Sequence, residues 1–152
     1  MLNNRRQFIK KLLLTSLTMS SLAFSKISLG KWIAYDFGYR PIDKSLSELF
    51  PNKTLQKTGK INLKLPRRAE NGNVVPITIT SSIENIDTVY ILSEKNPVPL
   101  IAKFTLDPSL ETYIGARFKM KETCDVIVVV KADDNYYQTR KRVIVTLGGC
   151  GG

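Results

Sequence analysis

The chain ends in a thiol set between glycines, and this is where the sequence places a nucleophile on a mobile support. Cys150 is flanked by Gly148, Gly149, Gly151 and Gly152. Glycine restricts the backbone least of all residues, so a glycine-rich terminus behaves as a flexible tether. A tether can carry the sulfur into a pocket of another protein, whereas an enzyme holds its own reacting groups still. The pattern therefore predicts a covalent attachment point at Cys150 on a swinging arm at residues 148–152.

No neighbouring side chain can activate the thiol of Cys150. A free cysteine has a pKa of about 8.5, so only a few per cent is thiolate near neutral pH. The nearest fixed charge is the carboxylate of Gly152, and a negative charge disfavours the thiolate. Reactivity must then be supplied by the pocket that the arm enters, which favours a carrier that works with separate enzymes.

The sequence contains no histidine. This excludes Ser-His and Cys-His nucleophilic pairs and the usual acid–base side chain near neutral pH. It also excludes metal sites built on imidazole, and two cysteines cannot form a four-cysteine site. We therefore predict no catalytic residue, no metal and no cofactor. A small thiol oxidoreductase remains an alternative, although the chain lacks a Cys-x-x-Cys motif.

The N-terminus has the features of an export signal. The twin arginine Arg5-Arg6 is followed by one spacer and two apolar residues, as in signals of the twin-arginine route. The apolar stretch behind it is short and diluted by serine and threonine, which argues against a membrane span. We predict a cleaved signal peptide at residues 1–30, a periplasmic mature chain and no stable membrane insertion. The alternative is an uncleaved basic amphipathic anchor helix.

The net charge of +10 is not a nucleic-acid signal. Residues 1–30 contain five basic side chains and no acidic one, so the leader supplies half of this charge. The remaining basic residues are spread along the chain, with the tightest cluster at residues 140–142. No aromatic RNA-binding motif or zinc-finger spacing is present. We expect no nucleic-acid partner.

Apolar residues recur with strand periodicity from residue 58 onward. Ile61, Leu63 and Leu65 alternate with polar residues, which is typical of a half-buried strand. Turn signals separate six further predicted strands, at residues 75–80, 88–92, 100–106, 113–120, 125–132 and 136–147. Seven strands without an intervening helix predict an all-β protein, an antiparallel β-sandwich over residues 58–147.

Two details of this sandwich follow from its last strands. The run 126–130 is apolar at every position, so we expect this strand to be central. A turn near Asp134-Asn135 would close the final hairpin and lead the last strand directly into the arm. In the preceding segment, residues 31–57, we predict a short helix at 45–50 with Ser45 as its cap, Glu48 completing a capping box, and a stop at Pro51.

The second cysteine lies in the final hairpin. The predicted turn places Cys124 opposite Val145, five residues short of Cys150. Five residues span roughly 15 Å when extended, whereas a disulfide needs Cα atoms within about 7 Å. We therefore predict a buried, reduced Cys124 and an exposed Cys150. The alternative is a secreted immunoglobulin-like interaction module with a structural Cys124–Cys150 disulfide.

Several short motifs occur in the order seen in a known family. They are Leu65-Pro66, Ala69-Glu70-Asn71-Gly72, Val75-Pro76, Glu94-Lys95-Asn96-Pro97-Val98-Pro99, Ala116-Arg117-Phe118-Lys119-Met120 and the terminal Gly-Gly-Cys-Gly-Gly. In these motifs the chain resembles the SoxY family, the sulfur carriers of the periplasmic thiosulfate-oxidising Sox system, over residues 55–152. The resemblance implies an immunoglobulin-like sandwich that forms a heterodimer with a SoxZ-like subunit. It also implies that Cys150 carries thiosulfate-derived sulfur covalently between the Sox enzymes, and that the chain itself is not an enzyme.

Overall fold

The computed structural model describes residues 40–146, which form one short helix and nine strands. In chain order these are α1 (Ile42–Leu49), β1 (Leu55–Lys57), β2 (Ile61–Lys64), β3 (Arg68–Ala69), β4 (Val75–Ser81), β5 (Ile86–Ser93), β6 (Leu100–Thr105), β7 (Tyr113–Phe118), β8 (Cys124–Ala132) and β9 (Asn135–Val145). The seven predicted strands correspond to β2 and β4 to β9. The short strands β1 and β3 were not predicted.

The strands form two sheets. The larger has the order β1-β9-β8-β5-β6, with β3 also paired to β9, and the smaller has the order β2-β4-β7. The long strands pair antiparallel, whereas β1 and β3 run parallel to β9. The predicted all-β, immunoglobulin-like antiparallel sandwich is therefore confirmed, with two short parallel pairings added at one edge.

Strand β8 lies at the centre of the larger sheet, as predicted, and is covered on both faces. Val126, Val128 and Val130 belong to the core between the two sheets. Ile127 and Val129 point the other way, into a second apolar cluster that includes residues of α1. Because both faces of β8 lie against apolar clusters, alternation would bury polar side chains in one of them, and residues 126–130 are accordingly all apolar.

The helix begins earlier than predicted. It starts at Ile42, follows Pro41, and has no side-chain cap. Ser45 is therefore not a cap: it lies inside the helix, 2% exposed, and its Oγ has no hydrogen-bond partner within the described part of the chain. The apolar face with Leu46 packs on the larger sheet, and Phe50 is buried against it. Burial of this face sets the position of the helix, since it outweighs a capping contact.

The hairpin between β8 and β9 turns one residue earlier than predicted. Ala132 pairs with Asn135, so Asp133 and Asp134 form a two-residue loop. Asp133 has a φ of 52°, the left-handed conformation that such tight hairpin turns require. Cys124 consequently lies opposite Val143 instead of Val145.

Candidate functional site: the root of the C-terminal arm

The predicted attachment residue and its arm lie outside the described residues. This holds for Cys150 and the four arm glycines Gly148, Gly149, Gly151 and Gly152, and for the predicted export residues Arg5 and Arg6. The predicted segment boundaries after residues 30 and 147 lie outside as well. The structure does describe the root of the arm, which we define as residues 144–146 at the end of β9 and the groups that hold them.

One side of the root is held by β3. The backbone N–H of Ile144 donates to the carbonyl oxygen of Arg67 at 3.0 Å, and that of Thr146 donates to the carbonyl oxygen of Ala69 at 3.0 Å. The hydroxyl of Thr146 donates to the same Ala69 oxygen at 3.3 Å. These bonds make β3 a short parallel partner for the last two residues of β9, which explains why a two-residue strand forms there.

The other side of the root is held by a side chain that precedes β8. The backbone N–H of Val145 donates to Thr123 Oγ1 at 2.9 Å, and the Thr123 hydroxyl lies 3.4 Å from the carbonyl oxygen of Val145. The chain is thus bonded on both sides up to Thr146, four residues before Cys150. Four residues extend over at most roughly 14 Å, so the reach of the sulfur is measured from a fixed point.

A glycine makes the close packing beside the root possible. A Cβ on Gly72 would lie 2.5 Å from the carbonyl oxygen of Met120 and 2.9 Å from Val145 Cγ1. The carbonyl oxygen of Gly72 also accepts the Met120 N–H at 2.7 Å. Gly72 was singled out in the sequence as part of a turn and a family motif. Its role in letting two chain segments approach was not foreseen, because it depends on residues distant in sequence.

The loops at this end of the sandwich are joined by one amide side chain. Asn96 Nδ2 donates to the carbonyl oxygen of Lys119 at 2.7 Å, and Asn96 Oδ1 accepts the Lys121 N–H at 2.9 Å. In the sequence, Asn96 belongs to the turn signal Asn96-Pro97 and to the family motif at residues 94–99, but its bonds were not predicted. Its two bonds connect the loop after β5 with the loop before β8, which also carries Thr123.

The two ends of the sandwich differ in charge. Near the root, four exposed cations form no ion pair with any described residue: Arg67, Arg68, Lys119 and Lys121. The opposite end carries exposed acidic residues in its loops: Glu84, Asp107, Glu111, Asp133 and Asp134. Two exposed acidic residues, Glu70 and Glu122, lie in the same loops, and Glu122 pairs with Lys95. The cations outnumber them, so the described surface around the root is positive on balance and attracts anions at short range.

Cys124 is separated from the arm both by burial and by distance along the chain. It is a free cysteine with 0% exposure, and its Sγ lies 3.2 Å from the hydroxyl of Ser93, which is also fully buried. The prediction that this cysteine is shielded is confirmed. Since Cys124 pairs with Val143, seven residues separate that position from Cys150. The longer separation weakens the case for a disulfide further.

A carboxylate at the opposite end of the sandwich has a shifted pKa. Lys131 Nζ lies 2.5 Å from Asp87 Oδ2, and the Thr88 hydroxyl donates to Asp87 Oδ1 at 2.6 Å. Burial is the largest single influence on Asp87 and acts to raise its pKa, but the hydrogen bonds from Lys131 and Thr88 and the charge of Lys131 together hold it below 3.8. The hydrogen bond to Asp87 raises the pKa of Lys131 above 10.5. The pair fastens β5 to β8 and has no contact with the root.

Residues 40–146 contain neither a metal-binding cluster nor a helix that could span a membrane. These residues contain no group of three or more His, Cys, Asp or Glu side chains placed to hold a metal ion. Their helix is too short to cross a membrane.

Comparison with known proteins gives the family. The profile of the family "Sulfur oxidation protein SoxY" matches residues 46–150, a range that includes Cys150. A solved structure of the sulfur carrier protein SoxY from Chlorobium limicola f thiosulfatophilum is similar, with 30% sequence identity and a TM-score of 0.63, covering 69% of this chain and 96% of that chain. No curated protein matches the chain.

A second solved structure, of the bacterial superantigen toxic shock syndrome toxin-1, matches with 14% identity and a TM-score of 0.40, covering 56% of this chain and 100% of that chain. An identity and a TM-score this low support no conclusion about the fold or function of this protein. The family profile covers more than half of the chain. The chain belongs to the SoxY family of sulfur oxidation proteins.

Proposed function

We propose that this chain is a covalent sulfur carrier and not an enzyme. Cys150 holds thiosulfate-derived intermediates, and the glycines around it let separate Sox enzymes reach the adduct. The observation that carries the proposal is the fixed root: residues 144–146 are hydrogen-bonded on both sides, and Thr146 lies four residues before the thiol in the sequence. An arm of this length attached to a rigid strand suits entry into a narrow pocket.

The loading chemistry sets what a partner enzyme must supply. Joining the Cys150 thiolate to thiosulfate forms one S–S bond and releases two electrons. The loading enzyme must therefore provide a two-electron acceptor and lower the fraction of protonated thiol. The product carries a terminal sulfonate, which is anionic at all ordinary pH values. The cations Arg67, Arg68 and Lys121 around the root are suited to such a charge.

The burial of Cys124 supports the carrier over the alternative with a structural disulfide. A thiol that is fully buried beside Ser93 offers no surface to an enzyme pocket. To pair with Cys150, Cys124 would have to become accessible, because it is 0% exposed in the core. The reactive thiol of the proposal is therefore Cys150 alone.

Partner and compartment complete the proposal. We infer that the chain forms a heterodimer with a SoxZ-like subunit and that this complex meets the Sox enzymes in the periplasm. The Arg5-Arg6 motif would direct export by the twin-arginine route, with removal of residues 1–30. Family membership supports a place in the Sox system, and the sequence motif supports the route.

Intact-mass analysis of the exported protein tests the carrier function. The chain purified from cells grown on thiosulfate should carry sulfur-containing mass increments that a reductant removes. Cys150→Ser should remove the increments completely, whereas Cys124→Ala, the matched control at the buried thiol, should keep them. A wild-type chain without any adduct, or adducts that persist in Cys150→Ser, would contradict the proposal.

A further inference from the structure

Four large apolar side chains are exposed in the described part of the chain, and they lie at the two ends of the sandwich. Leu110 is 67% exposed and Tyr113 is 71% exposed, both at the end opposite the root. Val74 and Ile144 are about half exposed and lie at the root end. The antiparallel pairing of β4 with β7 shows the separation, because it sets Val74 and Tyr113 at opposite ends of these strands. A contact between the two ends would remove this apolar area from water.

Leu110 and Tyr113 line a cleft between the loop after β4 and the loop after β6. Each loop is held by its own hydrogen bonds. The backbone N–H of Ile83 donates to Ser81 Oγ at 3.1 Å, and that of Leu110 donates to the carbonyl oxygen of Asp107 at 3.0 Å. The two apolar side chains are therefore presented by loops whose backbone is already bonded, and a partner would not have to order them first.

The cleft is acidic. Glu84 and Glu111 line it, are exposed, and form no ion pair with any residue that the structure describes. No lysine or arginine lines the cleft, although Lys60 adjoins it, since the Lys60 carbonyl oxygen accepts the hydroxyl of Ser81 at 3.2 Å. Such a surface is complementary to one that combines exposed apolar side chains with positive charge.

The root end of the same molecule has this complementary character. Its four cations without an ion pair, described above, outnumber the exposed acidic residues of its loops, Glu70 and Glu122. Its exposed apolar side chains are Val74 and Ile144. We propose that the root end of one copy of this chain docks into the acidic cleft of a second copy. Because the contact joins two different surfaces, it does not close by two-fold symmetry, and copies add head to tail.

This association would place residues 144–146 of one copy against the cleft of its neighbour. Proteins that approach the root would then compete with the second copy for the same cations. The association depends on few charges and few apolar side chains, so we expect it to be reversible and sensitive to salt. It holds whether or not Cys150 carries sulfur.

Sedimentation equilibrium tests the head-to-tail contact. In the full chain carrying Cys150→Ser, which removes disulfides through the arm, the weight-average mass should keep rising with protein concentration at low ionic strength. In 1 M salt, where the Debye length is about 3 Å, most of this rise should be lost. Leu110→Ser, which removes apolar area without changing charge, should lower the association constant at least about fivefold. A mass independent of concentration, a plateau at a dimer, or no effect of Leu110→Ser would overturn the proposal.

A charge exchange identifies the two surfaces. Glu84→Lys with Glu111→Lys makes both ends basic, and Arg68→Glu with Lys121→Glu makes both ends acidic. Each double variant alone should associate at least about tenfold more weakly, because like charges then face each other. An equimolar mixture of the two should regain the association, which also shows that both variants are folded. If the mixture does not associate, the assigned surfaces are wrong.

The matched control reverses two charges away from both ends. Lys64 and Lys103 are exposed, form no ion pair with a described residue, and lie near the middle of their sheets. Lys64→Glu with Lys103→Glu changes the net charge as much as the root variant does and should leave the association constant within about twofold of its original value. An equal loss in this control would show that net charge alone governs the association, and the proposal would fail.

Discussion

The backbone N–H of Thr146 donates to the carbonyl oxygen of Ala69 across 3.0 Å, and this bond fixes the chain four residues before Cys150. On the opposite side, Thr123 holds Val145 through its hydroxyl. The strand that leads to the arm is therefore held at a defined point. A carrier benefits from this arrangement, because a long flexible tether spreads its thiol over a volume that grows with its length and lowers the effective concentration at any one pocket.

Thr123→Val should weaken the hydrogen bonding at the root while it keeps the volume of the side chain. The substitution keeps the side-chain shape and removes the oxygen that accepts the Val145 N–H, which should cost about 1 kcal/mol in the free energy of unfolding. Because the last residues of β9 would then fray, we expect a lower kcat/KM for partner enzymes acting on the carrier. Alkylation of Cys150 by a small reagent should not change. Thr105→Val, at an exposed position of β6, is the control, and an effect of equal size there would argue against a specific role of Thr123.

Gly72→Ala should destabilise the same region through a steric conflict. The new Cβ would lie 2.5 Å from a backbone oxygen of Met120, so the backbone has to move. We expect a loss of roughly 1–3 kcal/mol in urea unfolding. Gly59→Ala is the matched control, since a Cβ there meets nothing within 4 Å. Its stability should be unchanged or slightly raised because the unfolded chain loses freedom. Similar behaviour of the two variants would show that the close approach at Gly72 has no energetic importance.

Strand periodicity was sufficient for the long strands and insufficient for the elements around the root. Ile61 and Leu63 alternate with polar residues because one face of β2 is buried, and this information is local. The two-residue strand at Arg68–Ala69 carries no period of its own and exists because β9 presents bonding groups to it. Its existence depends on a pairing between residues more than 70 positions apart, which the sequence of that segment does not encode.

The helix and the root show the same limit. Serine often caps the start of a helix. Here the helix starts at Ile42, so Ser45 lies inside it and is buried. The clamp of Thr123 on Val145 was not predicted, since a threonine before a strand has many local roles. The role of Cys150 was predicted from its glycine neighbours and from the family resemblance, and it stays a prediction because Cys150 lies outside the described residues.

The arm glycines provide a test of pocket entry. Replacing Gly148, Gly149, Gly151 and Gly152 by alanine keeps the thiol and makes the chain thicker and stiffer. Turnover by partner enzymes should fall at least about tenfold, since the arm must thread a narrow opening in a restricted set of conformations. The rate of alkylation by a small reagent should change little. Unaltered turnover would show that the arm does not enter a confined pocket.

The Asp87–Lys131 pair predicts a defined dependence of stability on pH. The pKa of Asp87 is lowered below 3.8 in the folded state, so the pair stabilises the fold above that pH, and this contribution is lost as the pH falls through the folded pKa. Asp87→Asn should therefore lower the unfolding midpoint at pH 7, and the difference from wild type should shrink below pH 3.8. The exposed Glu84→Gln is the control, with a small effect throughout. A difference that stays constant down to the acid transition would contradict the assignment.

The last prediction separates the two thiols by their accessibility. Cys124 is 0% exposed and has Ser93 as a buried neighbour, so a thiol reagent can reach it only after the sandwich opens. We expect one equivalent of reagent to label Cys150 under native conditions, and a second equivalent to react only in denaturant. Peptide mapping identifies which thiol reacts, and Cys124→Ala should leave the native stoichiometry at one. Native labelling of Cys124, or isolation of a Cys124–Cys150 disulfide as the main species from the periplasm, would move the argument to the structural alternative.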